Sequence, residues 1–300
     1  MESRYIQCGG QTIHVVQAGP ASGPCVLFLH GYPDSHRTWL PLMEQLQDAF
    51  RVVAFDLRGV CDSRPVPPGV SYRIETLLSD IACVLDAVVG RGGRAHLVGH
   101  DWGSTIGWSF VTHPEFGRRV LSWQSISGPH LGIWIRWMRD GLASLQWRRL
   151  VPVLGQLIRS SYVLLLLAWP LPEIFWWLGG MSAWRMILQM AGVPRADPML
   201  NETRERVLSM TLRPMALYRH NVLRPPPVPD LGSIVTPTQL IISTLDPFVL
   251  AAGYEGLGRY VPNLTVSRLP ARHWAQRSHP IEMTECVRGF LQQQEAKRLS

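Results

Sequence analysis

The feature that most constrains the fold is the pentapeptide Gly-His-Asp-Trp-Gly at residues 99–103, which directly follows an apolar run at residues 95–98. A short apolar run is typical of a buried strand, and glycines permit a sharp turn at which strand and helix approach closely. The pattern therefore predicts a strand, a tight turn with Asp101 at its tip, and a helix. Two interpretations of Asp101 remain open at this point: a cap for the following helix, or a carboxylate nucleophile presented by the turn.

Strand and helix patterns alternate on both sides of this turn. Apolar or loosely alternating runs predict strands at residues 12–16, 25–29, 51–55, 94–98, 120–126, 238–243 and 264–269. Helical spacing predicts helices at residues 39–50, 72–89, 102–113, 248–257 and 280–297. This alternation predicts an α/β fold, with a mostly parallel sheet flanked by helices on both faces.

Residues 129–229 interrupt the alternation. This stretch contains no strand-like run, holds seven of the twelve tryptophans, and closes with a proline cluster at residues 225–227. We therefore predict a helical unit at residues 129–229, inserted into a core domain formed by residues 1–128 and 230–300.

Charge and cysteine content exclude several classes of protein. The formal net charge is +7, but the arginines are dispersed and no run of five or more basic residues occurs, so we expect no nucleic-acid partner. Five cysteines are an odd number and show no paired short spacing. This pattern argues against a disulfide framework or a zinc site and predicts free thiols in a reducing compartment.

The N-terminal residues lack the apolar core of a signal peptide, so we expect a cytoplasmic protein. The most apolar stretch, residues 162–178, is interrupted by Pro170, Pro172 and Glu173. It is too broken for a membrane span, which needs about 20 consecutive apolar residues. Contact with a membrane surface and formation of a homodimer both remain open.

Residues suited to catalysis follow directly after four of the predicted strands. Ligand sites in open α/β sheets lie at these carboxyl ends of the strands. In chain order they are the segment His30-Gly31-Tyr32-Pro33 and then Asp101, Asp246 and His273. The order nucleophile, acid, histidine is that of a hydrolase triad. A carboxylate is already ionised at pH 7, so it can open a strained or polarised C–O or C–halogen bond and become an ester. As structural alternatives, Asp246 can cap a turn, and His273 is one of ten histidines.

These motifs make the sequence resemble epoxide hydrolases of the α/β-hydrolase fold, over essentially its full length. The matching segments are His30-Gly31-Tyr32-Pro33, Gly99-His100-Asp101-Trp102-Gly103, Asp246-Pro247-Phe248-Val249, His273-Trp274, Ser161-Tyr162 with Pro170-Leu171-Pro172-Glu173, and Ala216-Leu217-Tyr218-Arg219. The resemblance implies that the inserted helices form a cap. Two positions depart from the family pattern: Cys61 replaces a glycine after Asp56, and residues 243–245 lack a glycine common before the acid.

The resemblance also implies a role for each site residue. Asp101 would attack the epoxide, two cap tyrosines (Tyr162 and Tyr218) would donate protons to its oxygen, and His273, oriented by Asp246, would activate water. The backbone N–H groups of Tyr32 and Trp102 would form an oxyanion hole, with a cis Tyr32–Pro33 bond. The residues expected to bind substrate are His30, Pro33, Trp102 and Trp274. No metal or cofactor is required.

The cap is rich in tryptophan, leucine and methionine, which predicts that the epoxide is an apolar small molecule such as a lipid epoxide. The resemblance to epoxide hydrolases implies a role in detoxification. A haloalkane dehalogenase is the nearest alternative, since it shares the fold, the aspartate and the following tryptophan. The tyrosine pair and Tyr32 favour the epoxide. An esterase is disfavoured because no Gly-x-Ser-x-Gly occurs at the turn. A non-catalytic protein that binds apolar ligands would need neither Asp246 nor His273.

Overall fold

The computed structural model describes residues 1–63, 69, 71–144 and 146–299. Within these ranges eight strands form one sheet: β1 (Glu2–Cys8), β2 (Gln11–Ala18), β3 (Cys25–Leu29), β4 (Arg51–Phe55), β5 (Ala95–His100), β6 (Val120–Ile126), β7 (Thr238–Ser243) and β8 (Leu264–Leu269). The strand order is β1-β2-β4-β3-β5-β6-β7-β8. β1 pairs antiparallel with β2, and β2 with β4, whereas all other neighbours are parallel.

The α-helices of the described residues are α1 (Leu40–Leu46), α2 (Ile74–Val89), α3 (Trp102–Thr112), α4 (Leu131–Leu142), α5 (Trp147–Arg159), α6 (Tyr162–Leu167), α7 (Leu171–Met190), α8 (Arg204–Thr211), α9 (Ala216–Asn221), α10 (Ala275–Ser278) and α11 (Pro280–Leu299). The described residues also contain five short 3-10 turns: His36–Trp39, Phe116–Arg119, Pro198–Asn201, Ala251–Tyr254 and Leu257–Arg259. The prediction of a mostly parallel α/β sheet is confirmed.

The sheet has an apolar core on each face, because alternate residues of a strand point to opposite sides. In β3, Val26 and Phe28 join the core that contains side chains of α1 and α11. Leu27 and Leu29 join the other core, to which α2 and α3 contribute. Burial on both faces explains why the strand is a continuous apolar run.

The predicted helix at residues 248–257 is wrong. The structure has two 3-10 turns there, Ala251–Tyr254 and Leu257–Arg259. Gly253, Gly256 and Gly258 weaken a helix, and Gly256 adopts a left-handed φ of 83° that ends any regular turn.

All regular secondary structure in the described part of the inserted stretch is helical. Between β6 and β7 lie α4 to α9, and residues 129–144 and 146–229 contain no strand. The division into a core domain and a cap at residues 129–229 stays a prediction. In the described ranges, none of the helices combines the length and apolarity that crossing a bilayer requires.

The prediction that all cysteines are free thiols is wrong for one pair. Cys8 at the end of β1 is disulfide-bonded to Cys83 on α2, across 75 residues of sequence, with Cα atoms 5.7 Å apart. The two meet only because β1 packs on α2, and sequence spacing does not report that contact. Cys25, Cys61 and Cys286 are free.

Candidate active site

Asp101 lies at a strained turn between β5 and α3, with φ 54° and ψ −123°. The two flanking glycines are required by close packing. A Cβ on Gly99 would lie 2.6 Å from the Trp123 ring, and one on Gly103 would lie 2.2 Å from the Leu29 carbonyl oxygen. A positive φ is rare for a residue other than glycine and is found where surrounding structure holds a functional side chain in place. The turn therefore presents Asp101 at the carboxyl ends of the parallel strands.

The Asp101 carboxylate does not cap α3. Its Oδ1 instead accepts a hydrogen bond of 2.7 Å from the backbone N–H of Tyr32. The Tyr32–Pro33 bond is cis, as expected. A Cβ at position 31 would lie 2.4 Å from this oxygen, so the close approach needs Gly31. Among the described residues, no hydrogen bond joins the other expected donor, the Trp102 N–H, to the carboxylate.

His273 connects Asp101 to Asp246. Its Nδ1 donates to Asp246 Oδ2 at 2.9 Å, and its Nε2 lies 3.6 Å from Asp101 Oδ2. Asp246 Oδ1 accepts from the backbone N–H groups of Phe248 and Val249, which fix its orientation. The three side chains are therefore brought together in the order expected for a triad.

Two carboxylates determine the protonation state of His273. Burial by itself would lower its pKa, but the charge of Asp246 and the interaction with Asp101 outweigh burial and raise the pKa to about 10. Burial likewise opposes ionisation of Asp246, yet the charge of His273 and their hydrogen bond hold the pKa of that carboxyl below its usual value. His273 is therefore an imidazolium at neutral pH in the resting protein.

The two predicted cap tyrosines converge on the nucleophile. Tyr162 begins α6 and Tyr218 lies on α9, and their rings are nearly perpendicular with centroids 6.3 Å apart. The Tyr218 ring also packs edge-on against Trp102 and Tyr32 at 5.0 and 5.3 Å. Burial, with an added contribution from the charge of Asp101, raises the pKa of both phenols above the usual value. Both hydroxyls therefore stay protonated next to the carboxylate.

Two apolar cavities meet at this point. One has a volume of about 390 Å³ and the other about 420 Å³. Four residues line both cavities: Asp101, Tyr162, Tyr218 and Phe248. The remaining walls are largely apolar side chains of α4 to α7, so the carboxylate and the phenols are polar groups that face an apolar space.

Of the four residues expected to bind substrate, three line a cavity and one does not. Pro33 and Trp274 line the smaller cavity, and Trp102 lines the larger. His30 lines neither. It is fully buried, its Nδ1 donates to the Gly31 carbonyl, and its Nε2 accepts from the Leu57 N–H, so both ring nitrogens are used to hold the loop.

Two residues were not predicted to contribute. Arg219 pairs with Glu173 and donates to the Leu166 carbonyl at 3.1 Å, which ties α9 to α7 and α6 and so holds both tyrosine-bearing helices. Phe248 packs edge-on against His273 at 4.9 Å. Both belong to segments that the sequence resemblance singled out, but no composition or spacing signal distinguishes them from ordinary packing residues.

A separate polar group contains potential metal ligands. Ligand atoms of His14, His36, Asp56 and Asp62 lie within 4.8 Å of one another. Both oxygens of Asp56 already accept from histidine, at 3.1 Å from His14 Nδ1 and 2.9 Å from His36 Nδ1. Asp62 pairs with Arg206. His14, His36 and Asp56 thus form a buried hydrogen-bonded network, and the carboxylate of Asp62, which is not buried, is occupied by Arg206.

Comparison with known proteins places this geometry in a family. Residues 24–155 match the model of the alpha/beta hydrolase fold family. Epoxide hydrolase 3 of Mus musculus is 31% identical over 96% of this chain and 76% of its own length. The crystal structure of the Bacillus megaterium epoxide hydrolase in complex with an inhibitor has a TM-score of 0.78 and 28% identity, covering 96% of this chain and all of that one.

A mycobacterial relative is longer. The Mycobacterium tuberculosis protein named "Probable oxidoreductase EphD" is 30% identical over 97% of this chain but 49% of its own length. The chain thus spans about half the length of that relative.

Proposed function

The chain belongs to the epoxide hydrolase family of the α/β-hydrolase fold, and we propose that it converts an apolar epoxide to a vicinal diol through a covalent ester on Asp101. One observation carries the proposal. The hydroxyl-bearing rings of Tyr162 and Tyr218 share the two cavities with the Asp101 carboxylate, and His273 lies within 3.6 Å of that carboxylate. The nucleophile, both proton donors and the base thus all line the smaller cavity.

In the first step Asp101 attacks an epoxide carbon and the ring C–O bond breaks. The Tyr32 N–H holds Oδ1, so Oδ2 is the oxygen left to attack. The ring oxygen leaves as an alkoxide, which is a poor leaving group unless it receives a proton. Tyr162 or Tyr218 supplies that proton, and their raised pKa keeps them protonated until the alkoxide forms.

In the second step water hydrolyses the ester. Esterification removes the negative charge of Asp101, and with it part of the interaction that holds a proton on His273. The imidazolium then gives its proton to the phenolate left by the first step, which restores the phenol. Neutral His273, oriented by Asp246, takes a proton from water, and the hydroxide attacks the ester carbonyl. The Tyr32 N–H stabilises the resulting oxyanion, and His273 protonates the departing diol oxygen. The carboxylic acid so formed on Asp101 then gives its proton to His273, which restores the carboxylate and the imidazolium.

The substrate is proposed to be an apolar epoxide, because the combined cavities are walled mainly by aliphatic and aromatic side chains. The same phenols favour an epoxide over an alkyl halide. A departing halide needs a hydrogen-bond donor but no proton transfer, whereas a departing alkoxide needs both. Cytoplasmic localisation and a role in detoxification stay predictions.

A panel of aromatic, terpene and fatty-acid epoxides assayed for diol tests the proposal, with Asp101→Ala as the matched control. We expect diol from the wild-type protein and none above the uncatalysed rate from the variant. Release of halide from chloroalkanes without diol from any epoxide would favour the dehalogenase. Ligand binding without turnover of any compound would favour a non-catalytic binding protein.

A further inference from the structure

The most unusual surface of the molecule is formed by the exposed apolar side chains of α5, α6 and α7 and the turn before α7, here called the α5–α7 surface. Its residues that are more than half exposed include Trp147, Ile158, Trp169, Leu171, Trp177 and Leu178. All twelve tryptophans fall in the described ranges, and three of them are exposed: Trp147, Trp169 and Trp177. Large exposed apolar side chains clustered on neighbouring helices are uncommon in soluble proteins, and where they occur they normally mark a binding surface.

On α7 the exposed apolar side chains lie along one face of the helix. Leu171, Ile174, Phe175 and Leu178 recur at the i, i+3, i+4, i+7 spacing that defines one face of a helix, and all four are exposed. Such a face is usually turned toward the protein core. In α7 a second face already serves the core through the buried Trp176. The exposed face is therefore an additional apolar surface that the described residues leave uncovered.

The charge around this surface is positive. α5 to α7 carry four arginines, Arg148, Arg149, Arg159 and Arg185, and a single carboxylate, Glu173, which is already paired with Arg219. The exposed Asp140 on the neighbouring α4 pairs with Arg136 and Arg139. Arg148 lies 5.8 Å from the centre of the Trp147 ring, so a guanidinium and an indole are presented side by side. Tryptophan, leucine and arginine on exposed helices are the composition of segments that lie in the interface of a membrane with anionic lipids.

The mouth of the smaller cavity lies within the α5–α7 surface. Arg159, Leu165, Phe175 and Met190 line that cavity and are at the same time exposed. A compound dissolved among acyl chains could pass from a lipid layer against this surface into the cavity without crossing water.

We propose that the α5–α7 surface docks on lipid bilayers that carry anionic headgroups, and that the smaller cavity receives its apolar substrate from the lipid. The second part rests on the proposed function, since it assumes that this cavity binds the substrate. A second copy of the chain fits the surface less well. A symmetric contact through the same face would bring the arginines of the two copies together, and like charges across an interface disfavour it.

Co-sedimentation with large vesicles tests the docking without requiring activity. We expect the wild-type chain to bind vesicles of about 30% phosphatidylglycerol in phosphatidylcholine, to bind pure phosphatidylcholine at least about tenfold less, and to be released by salt. Quenching of tryptophan fluorescence by dibrominated phosphatidylcholine in the same vesicles should report insertion of the exposed tryptophans.

Matched variants test whether vesicle binding depends on the α5–α7 surface rather than on exposed apolar residues anywhere in the chain. Ile158→Ser with Leu178→Ser, and separately Arg148→Glu with Arg149→Glu, should each weaken binding about tenfold or more. The control is Ile281→Ser, a similarly exposed apolar residue at the start of α11. It should bind as the wild type does. None of the substituted residues lines either cavity, so hydrolysis of a water-soluble epoxide should not change.

Three results would overturn the proposal: wild-type protein that stays in the supernatant, equal binding to both vesicle types, or surface variants that bind as well as Ile281→Ser. Self-association that the surface variants abolish, without vesicle binding by the wild type, would assign the surface to a second copy. Vesicle binding by Asp101→Ala tests docking alone. Failure of the proposed function would therefore leave docking intact, and failure of docking would leave diol formation intact.

Discussion

The charge of Asp101 is expected to keep His273 protonated in the resting protein, and replacing that charge tests the idea directly. Asp101→Asn puts a neutral group where the ester would be. At 3.6 Å and an effective dielectric constant of about 20, a unit charge contributes about 5 kcal/mol, or roughly three pKa units. Because the amide dipole replaces part of this interaction, we expect the pKa of His273 to fall from about 10 by roughly two to three units.

The titration can be followed by NMR on protein labelled at histidine, with the His273 signal identified by its loss in the additional His273→Gln variant. Intact mass verifies that the amide introduced by Asp101→Asn has not hydrolysed back to a carboxylate. Asp140→Asn, which removes an exposed carboxylate on α4, is the control and should leave the signal unmoved. A His273 pKa in Asp101→Asn within about half a unit of the wild-type value would refute the reasoning, because ester formation could then not release the base.

Three further changes have defined outcomes. Tyr162→Phe or Tyr218→Phe removes one proton donor, and single-turnover ester formation should slow about 100-fold or more, whereas a rate within about threefold of wild type would exclude that phenol as the acid. Cys8→Ser removes the disulfide bond to Cys83 and should lower the free energy of unfolding in urea by about 2–4 kcal/mol. As the control, a reductant should lower the free energy of unfolding of the wild type but not that of the variant. Tyr32→Phe removes the hydroxyl of a buried residue that lines the smaller cavity near Trp176 but keeps the backbone N–H that holds Asp101, so most of the diol-forming activity should be retained; a loss of about 100-fold or more would mean that this hydroxyl contacts the substrate.

The parts of the fold that could be predicted from sequence are those set by local pattern. Continuous apolar runs predicted the parallel strands, and the glycines at residues 99 and 103 predicted the turn at Asp101. The triad followed because parallel strands bring their carboxyl ends to one edge, which places Asp246 and His273 beside Asp101 although they are far apart in the chain.

What could not be predicted depends on contacts between distant elements. The disulfide between Cys8 and Cys83 exists because β1 packs on α2. His30 was expected to face the substrate, but the loop around it uses both of its ring nitrogens. The tyrosines could be proposed only by resemblance, since a tyrosine on an amphipathic helix is more often a packing residue. Their convergence on Asp101 depends on how α6 and α9 are held, in part by Arg219.

The covalent ester on Asp101 is the central claim, and mass measurement of a variant that can form but not hydrolyse it is the most direct test. His273→Gln retains the nucleophile and both phenols but lacks the base. After incubation with an epoxide that the wild type converts to diol, intact-protein mass spectrometry should show His273→Gln heavier by one substrate mass, with the adduct on the peptide containing Asp101. His273→Gln combined with Asp101→Ala should show no gain. Absence of an adduct in His273→Gln, while the wild type turns the same epoxide over, would contradict the account.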